Sequence, residues 1–341
     1  MKRSSFSCSK CVALLAMSAA ATVSAACSSA PRGAAGEPIR IDGSSTVYPI
    51  TSAVAEEFKK ENPAAKVDVA FSGTGSGFER FCKGEIDIQD ASRPIEAPEV
   101  ASCKAANVGY IELPVAHDGL TIIVHPSNDF ATSMTVEELK TLWSGAAEKK
   151  VTKWSQVRKG WPDRPIALYG PGPKSGTFDF FTATINGKEH DSRKDYTASE
   201  DDQEIVKGVA GNPDALGYVG FGYYETHKSA LKLVPIDDGD QEIGPGAIEP
   251  SPNTVRRGLY RPLSRPLFIY VNTKRLDRAE VKTFVNFYIR HSEDLASKVG
   301  GIPLNGLLYG LVQERVNKKL EGSLYEKPDA AGRSIEQLLN Q

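Results

Sequence analysis

Apolar residues recur along this chain in two rhythms that alternate. Val67, Val69 and Phe71 fall on one face of a two-residue repeat, which predicts a strand over residues 66–71. Ile50, Val54 and Phe58 recur at helical spacing, which predicts a helix over 50–61 that Asn62-Pro63 stops. Residues 39–41 and 86–88 read as short strands, and 78–83 as a short helix. This βαβαβ order implies a parallel sheet covered by helices. Further strands are predicted at 110–115, 120–124, 166–169, 216–219, 231–235 and 267–271. Helices are predicted at 136–143, 178–184, 307–319 and 334–339, with another running from 281 through 289. Residues 237–252 are rich in Gly, Pro and Asp and read as a surface loop. There is no internal repeat.

Three runs of small residues interrupt this pattern at equivalent places. They are Asp42-Gly43-Ser44-Ser45-Thr46-Val47, Ser72-Gly73-Thr74-Gly75-Ser76-Gly77 and Lys174-Ser175-Gly176-Thr177. Each follows a strand-like run and precedes a predicted helix. Such a turn aims backbone N–H groups and hydroxyls at one spot, on the positive end of the helix dipole. One of them alone reads as a helix N-cap. Three suggest helix N-termini converging on one anion. A fourth element, Ala91-Ser92-Arg93-Pro94-Ile95, follows the predicted strand at 86–88, on the carboxyl edge where α/β clefts form. Arg93 can offer a planar, two-pronged donor to an oxyanion. Pro94 keeps it out of helical geometry.

The segments GSSTVYPIT, SGTGSGF, ASRPI and KSGTFDFF stand in the order and spacing of the PstS-like phosphate-binding proteins of bacterial ABC importers. The chain resembles that family from about Ile39 to about Leu311. The resemblance implies an α/β, two-lobed periplasmic binding protein fold, type II-like, with a ligand cleft between lobes joined by two crossings. The lobes would comprise residues 38–116 with 265–341, and 117–264. The similar segments 120–124 and 267–271 would lie side by side near the crossings. The implied phosphate ligands are Ser45, Thr46 and the Val47 backbone, then Thr74 with Gly75 and Ser76, then Ser92 and Arg93, and finally Ser175, Gly176 and Thr177. Hydrogen bonds to a charged acceptor contribute about 1.5–3 kcal/mol each, so neutral donors can hold such an anion.

The best-known branch of that family has aspartate where this chain has Arg93, and arginine where this chain has Pro171. The charged donor is therefore expected on the other lobe. The group accepting the phosphate proton is left open, with Asp118 the first candidate and Asp90 and Asp42 behind it.

The N-terminus reads as an export signal over residues 1–26, with Lys2, Arg3 and Lys10 before a short apolar stretch at 12–23. Val23-Ser24-Ala25-Ala26-Cys27 resembles a bacterial lipobox, with Ser24 in place of the usual aliphatic residue. Lipidation at Cys27 and ordinary cleavage near Ala25 or Ala26 are the two outcomes, and 27–37 reads as a tether. No later apolar run is long enough for a membrane span. Cys8 and Cys11 lie in the leader. Cys82 and Cys103 remain, and in an exported protein two such residues are expected to pair, the alternative being two buried thiols.

The chain has 341 residues, which suggests two domains or one large one, and 40% of them are hydrophobic, ample for a core. Net charge is −2, and about −5 once the leader's three cations are gone, so no nucleic-acid partner is indicated. Residues 170–177 imitate a P-loop, but Lys174 precedes the last glycine instead of following it. There is no G-x-S-x-G elbow, and His117, His125, His190, His227 and His291 form no zinc pattern. Asp237, Asp238 and Asp240 do not have the spacing of a calcium loop. The reading is a monomeric carrier without cofactor, metal or reaction of its own, passing phosphate to an ABC permease. The alternatives are a binder of sulfate, molybdate or tungstate, and a phosphate-releasing hydrolase.

Overall fold

The computed structural model describes residues 36–240, 246–326, 330 and 333–340. The leader, Cys27 and the tether as far as residue 35 lie outside the described residues. Strand β1 (Ile39–Gly43) is central to the first half of the fold. It pairs in parallel with β2 (Val67–Val69) on one side and β3 (Ile88–Ala91) on the other. The helix Tyr48–Glu61 connects β1 to β2 and the helix Thr74–Cys82 connects β2 to β3. Ile50, Val54 and Phe58 form the buried stripe of the first helix, as their spacing predicts. Because β1 lies between the next two strands, the chain winds in opposite senses from it. The carboxyl ends of β1 and β3 therefore open onto a crevice.

Strand β4 (Tyr110–Val124) is a single 15-residue strand where two were predicted, at 110–115 and 120–124. The short strand β5 (Met134–Thr135) follows it. Further along come β6 (Ala167–Pro171), β7 (Thr197–Ser199), β8 (Ala215–Gly220), β9 (Lys232–Val234) and β10 (Ile236–Asp237). The last are β11 (Ser264–Asn272) and β12 (Ile302–Pro303). The ladder stays intact through 116–119 because β11 and β12 both pair there: Gly119 opposes Ser264, and His117 opposes Ile302. Beyond it, Leu120–Val124 pairs with β8 and β9. Residues 267–271 consequently lie beside 111–116 and not beside 120–124 as expected. The register slips between Leu267 and Phe268, opposite Val115, next to Pro114, which has no N–H to give.

Apolar packing changes along β4. Ile111, Leu113 and Val115 join a cluster with Ile41, Phe58, Phe81, Phe268 and Phe284. Leu120, Ile122 and Val124 join Trp143, Trp154, Phe181 and Tyr218, while Ile123 joins a smaller cluster with Ile205 and Val219. Cys82 and Cys103, at the ends of two helices in the first half, have Cα atoms 4.3 Å apart and bonded sulfurs. Among the described residues no helix is long and apolar enough to cross a membrane.

Candidate functional site

The first turn leaves β1 at Gly43, whose φ of 137° is open to glycine and costly for other residues. A Cβ there would stand 2.1 Å from the Asp90 carbonyl oxygen, so the turn is pressed onto the end of β3. Ser44 N–H then donates to Asp90 O (2.9 Å), and Ser44 Oγ accepts from Thr46 N–H (3.2 Å). These contacts present Thr46 while Val47, the N-cap of the first helix, packs into the core. In the second turn Thr74 opens its helix, and its hydroxyl lies 3.2 Å from Ser92 Oγ and accepts from Ser92 N–H. The third turn leaves β6, and Ser175 caps the helix Gly176–Phe181 by accepting from Thr177 N–H (3.1 Å).

The turns meet. Gly75 N–H donates to Lys174 O (3.2 Å), joining the second to the third. Thr46 Oγ1 lies 3.0 Å from Thr177 Oγ1, joining the first to the third. A Cβ on Gly176 would come within 2.6 Å of Thr74 Oγ1 and 2.7 Å of Ser92 Oγ, so that residue must be glycine for the hydroxyls to approach. Thr46, Thr74, Ser92 and Thr177 therefore form one buried group of hydroxyls drawn from four separate segments.

A guanidinium completes this group, and it belongs to a residue the sequence did not single out. Arg265, buried in β11, donates from Nη2 to Thr177 Oγ1 (2.7 Å) and from Nη1 to Gly176 O (3.1 Å). Asp118 holds it: Oδ2 accepts from Arg265 Nε and Nη2 at 3.0 and 2.9 Å. The two residues are direct cross-strand partners of β4 and β11. Asp118 Oδ1 accepts from Phe221 N–H at 2.9 Å, and the Phe180 ring lies 5.3 Å from the guanidinium. The signal was present as an arginine inside an apolar strand opposite an aspartate. Reading it required the register.

Arg93 is engaged by carboxylates. It makes a two-pronged pair with Glu99 (both 2.8 Å), donates from Nε to Asp179 Oδ2 (2.8 Å), and lies 2.8 Å from Glu96 Oε1. The next helix begins with a capping box that fixes Glu96 and Glu99 beside it. Burial opposes the charge on Arg93, but Glu99 and Asp179 outweigh it and hold the guanidinium protonated above its ordinary range. Ser76 lines a cavity of 310 Å³ with Gly75 and Arg93. Ser45 turns its hydroxyl to Asp202 Oδ2 (2.6 Å).

The carboxyl groups near the turns differ. Asp118 is committed to Arg265 and Phe221. Asp42 accepts from Gly43 N–H, Ser72 Oγ and Arg80. Asp90 is buried, which pushes its carboxyl well above the usual range. Burial also pushes Asp202 up to about 7, against the opposing pull of the Ser45 hydroxyl and of Arg265. Asp202 reaches the first turn through the Ser45 hydroxyl.

A mixed sheet, three apolar clusters and turns that bring hydroxyls together beside one arginine are the frame of a substrate-binding protein. The chain belongs to the PBP superfamily, matching its domain over residues 28–292. It is 46% identical to the protein SphX of Synechocystis sp. over 304 residues, 89% of each chain. It is 37% identical to the phosphate-binding protein PstS of Staphylococcus aureus over 260 residues, 76% of each chain. A solved structure from Planctomyces limnophilus, a "possible phosphate binding protein", is 46% identical and aligns with a TM-score of 0.63, covering 84% of this chain and 99% of that one.

Proposed function

We propose that this protein captures inorganic phosphate outside the cytoplasm and delivers it to an ABC permease, with no reaction of its own. One observation carries the reading: hydroxyls of Thr46, Thr74, Ser92 and Thr177 meet beside Arg265, an oxyanion's complement of neutral donors and one cation. The names of the SphX and PstS relatives agree with it. Gly176 and Ser175 shape the third turn, and Gly75 and the Val47 backbone flank the group. Arg265 takes the role first assigned to Arg93, and Asp118 is its anchor instead of the proton acceptor. Asp202 accepts the phosphate proton through Ser45. A site with such an acceptor favours HPO₄²⁻ over sulfate, which has no proton to give.

The lobes divide at 116/117 and 264/265, a placement supported by the change of apolar cluster along β4 and by Leu263 and Leu267 packing into different clusters. Hinge closure between them would enclose the anion. The chain is exported as a monomer, lipid-anchored at Cys27, with Cys82 and Cys103 as a disulfide. Calorimetric titration of the mature protein with phosphate, sulfate and molybdate tests the reading. Phosphate should bind at one site, at least about a hundredfold tighter than sulfate, a difference of ~2.7 kcal/mol. Equal affinities, or preference for molybdate, would replace phosphate with a broader oxyanion specificity.

A further inference from the structure

Beside the hydroxyl group lies a second constellation that the phosphate reading does not use. Asp179 on the helix Gly176–Phe181, and Glu189 and His190 on the loop that follows, offer ligand atoms all within 4.8 Å of one another. Asp179 is 2% exposed, and only Oδ2 is engaged, by Arg93. Its other oxygen, Oδ1, is buried with no hydrogen-bond partner. His190 Nδ1 stands 3.6 Å from that oxygen, beyond hydrogen-bond length. A buried carboxylate oxygen left so costs free energy unless something else takes its lone pairs.

The surroundings carry surplus negative charge. Glu96, Glu99 and Asp179 all contact the guanidinium of Arg93, three carboxylates to one cation. A cation bound at Asp179 Oδ1 would offset part of that charge.

We propose that Asp179, Glu189 and His190, with Glu96 opposite them, form a zinc site at the margin of the cleft. An imidazole nitrogen with carboxylate oxygens is a donor set suited to zinc, where oxygens alone would suit calcium or magnesium. Tetrahedral zinc with bonds of 2.0–2.2 Å needs ligand atoms about 3.3 Å apart. His190 is exposed and Glu189 half-exposed, so their side chains can close that gap onto a fixed Asp179. Outer contacts hold the pieces in place. Arg93 fixes Asp179, and His190 N–H donates to Thr182 Oγ1 (2.9 Å). The ion would tie Glu96, which follows β3, to the loop of the other half.

The test titrates chelator-treated mature protein with zinc chloride in phosphate-free buffer, by calorimetry and by competition with a chromophoric chelator. One zinc should bind per chain at micromolar concentration. His190→Ala and Glu189→Gln should each weaken binding by at least about tenfold, and Glu96→Gln by a smaller factor. Both leading substitutions are at exposed or half-exposed side chains, and unchanged circular dichroism confirms that each variant folds. Absence of binding up to about 1 mM zinc overturns the proposal. So does zinc binding that survives His190→Ala and Glu189→Gln unchanged, which would place the ion on other surface histidines. The readout does not involve phosphate, so it fails or succeeds independently of the phosphate reading.

Discussion

Arg265 and Arg93 have the same charge and opposite surroundings. Arg265 meets one carboxylate and two groups of the third turn, leaving its field directed at the hydroxyls. Arg93 meets three carboxylates, so its charge is spent locally. Arg265→Lys should weaken phosphate binding by at least ~2 kcal/mol, because an ammonium cannot serve Asp118, Gly176 and the ligand at once. Arg93→Lys should change it by less than about threefold. Phosphate titrations in matched salt decide this, and a reversed order would return Arg93 to the site. Asp202 gives a second test. Its carboxyl is raised to about 7 from an ordinary 3.8, so the folded chain holds the proton that the unfolded chain releases. The native state then binds more protons between those values, and this group's contribution to stability falls as pH rises from about 4 to 7. Asp202→Asn mimics the protonated form and can still accept from Ser45. The variant should therefore gain on the parent between about pH 5 and pH 8, by on the order of 2–3 kcal/mol. A melting difference that does not vary with pH would show that the Asp202 carboxyl is not raised into this range.

Elements enter the site through their ends. Strand β1, the helix Thr74–Cys82, β3, and β6 with its following helix each deliver one or two residues, and glycine sets how near they come. Gly176→Ala introduces a carbon 2.6 Å from Thr74 Oγ1, and neither the turn nor the helix behind it can retreat freely. The expected cost is about 1–3 kcal/mol of stability, with a larger loss of phosphate affinity because the hydroxyls are forced apart. Thermal melts and calorimetry on the same sample measure both. An alanine variant that binds like the parent would mean that the third turn is not in the site. Strand β4 shows the opposite use of an element. By continuing through both halves it puts Asp118 at their junction, opposite Arg265.

At the scale of the molecule, Cys82 and Cys103 brace the segment that contains Ser92 and Arg93. Their sequence separation is 21, and the loop-entropy account gives a bond there roughly 3 kcal/mol. Unreduced, denatured mature protein should show no reactive thiol at either position, and Cys82→Ala with Cys103→Ala should lower the melting temperature. Two free thiols would refute the bond. Much of this molecule was legible in its sequence. Local periodicity determined the βαβαβ start, because the Ile50, Val54 and Phe58 stripe and the Val67, Val69 alternation need only near neighbours to declare themselves. Turn chemistry made the three small-residue runs visible, and at Gly43 the backbone conformation itself favours glycine, whereas Gly176 is required by hydroxyls of other segments. Tertiary structure decided what those runs face. Arg265 and Asp118 are 147 positions apart, and only the β4–β11 register makes them partners. Arg93 looked free until the capping box at Glu96 and Glu99 claimed it. Burial of Asp202 and its raised proton affinity arise from packing across the same junction. Spacing along a chain encodes which element forms, whereas the partner of a charge depends on which distant backbone is brought alongside.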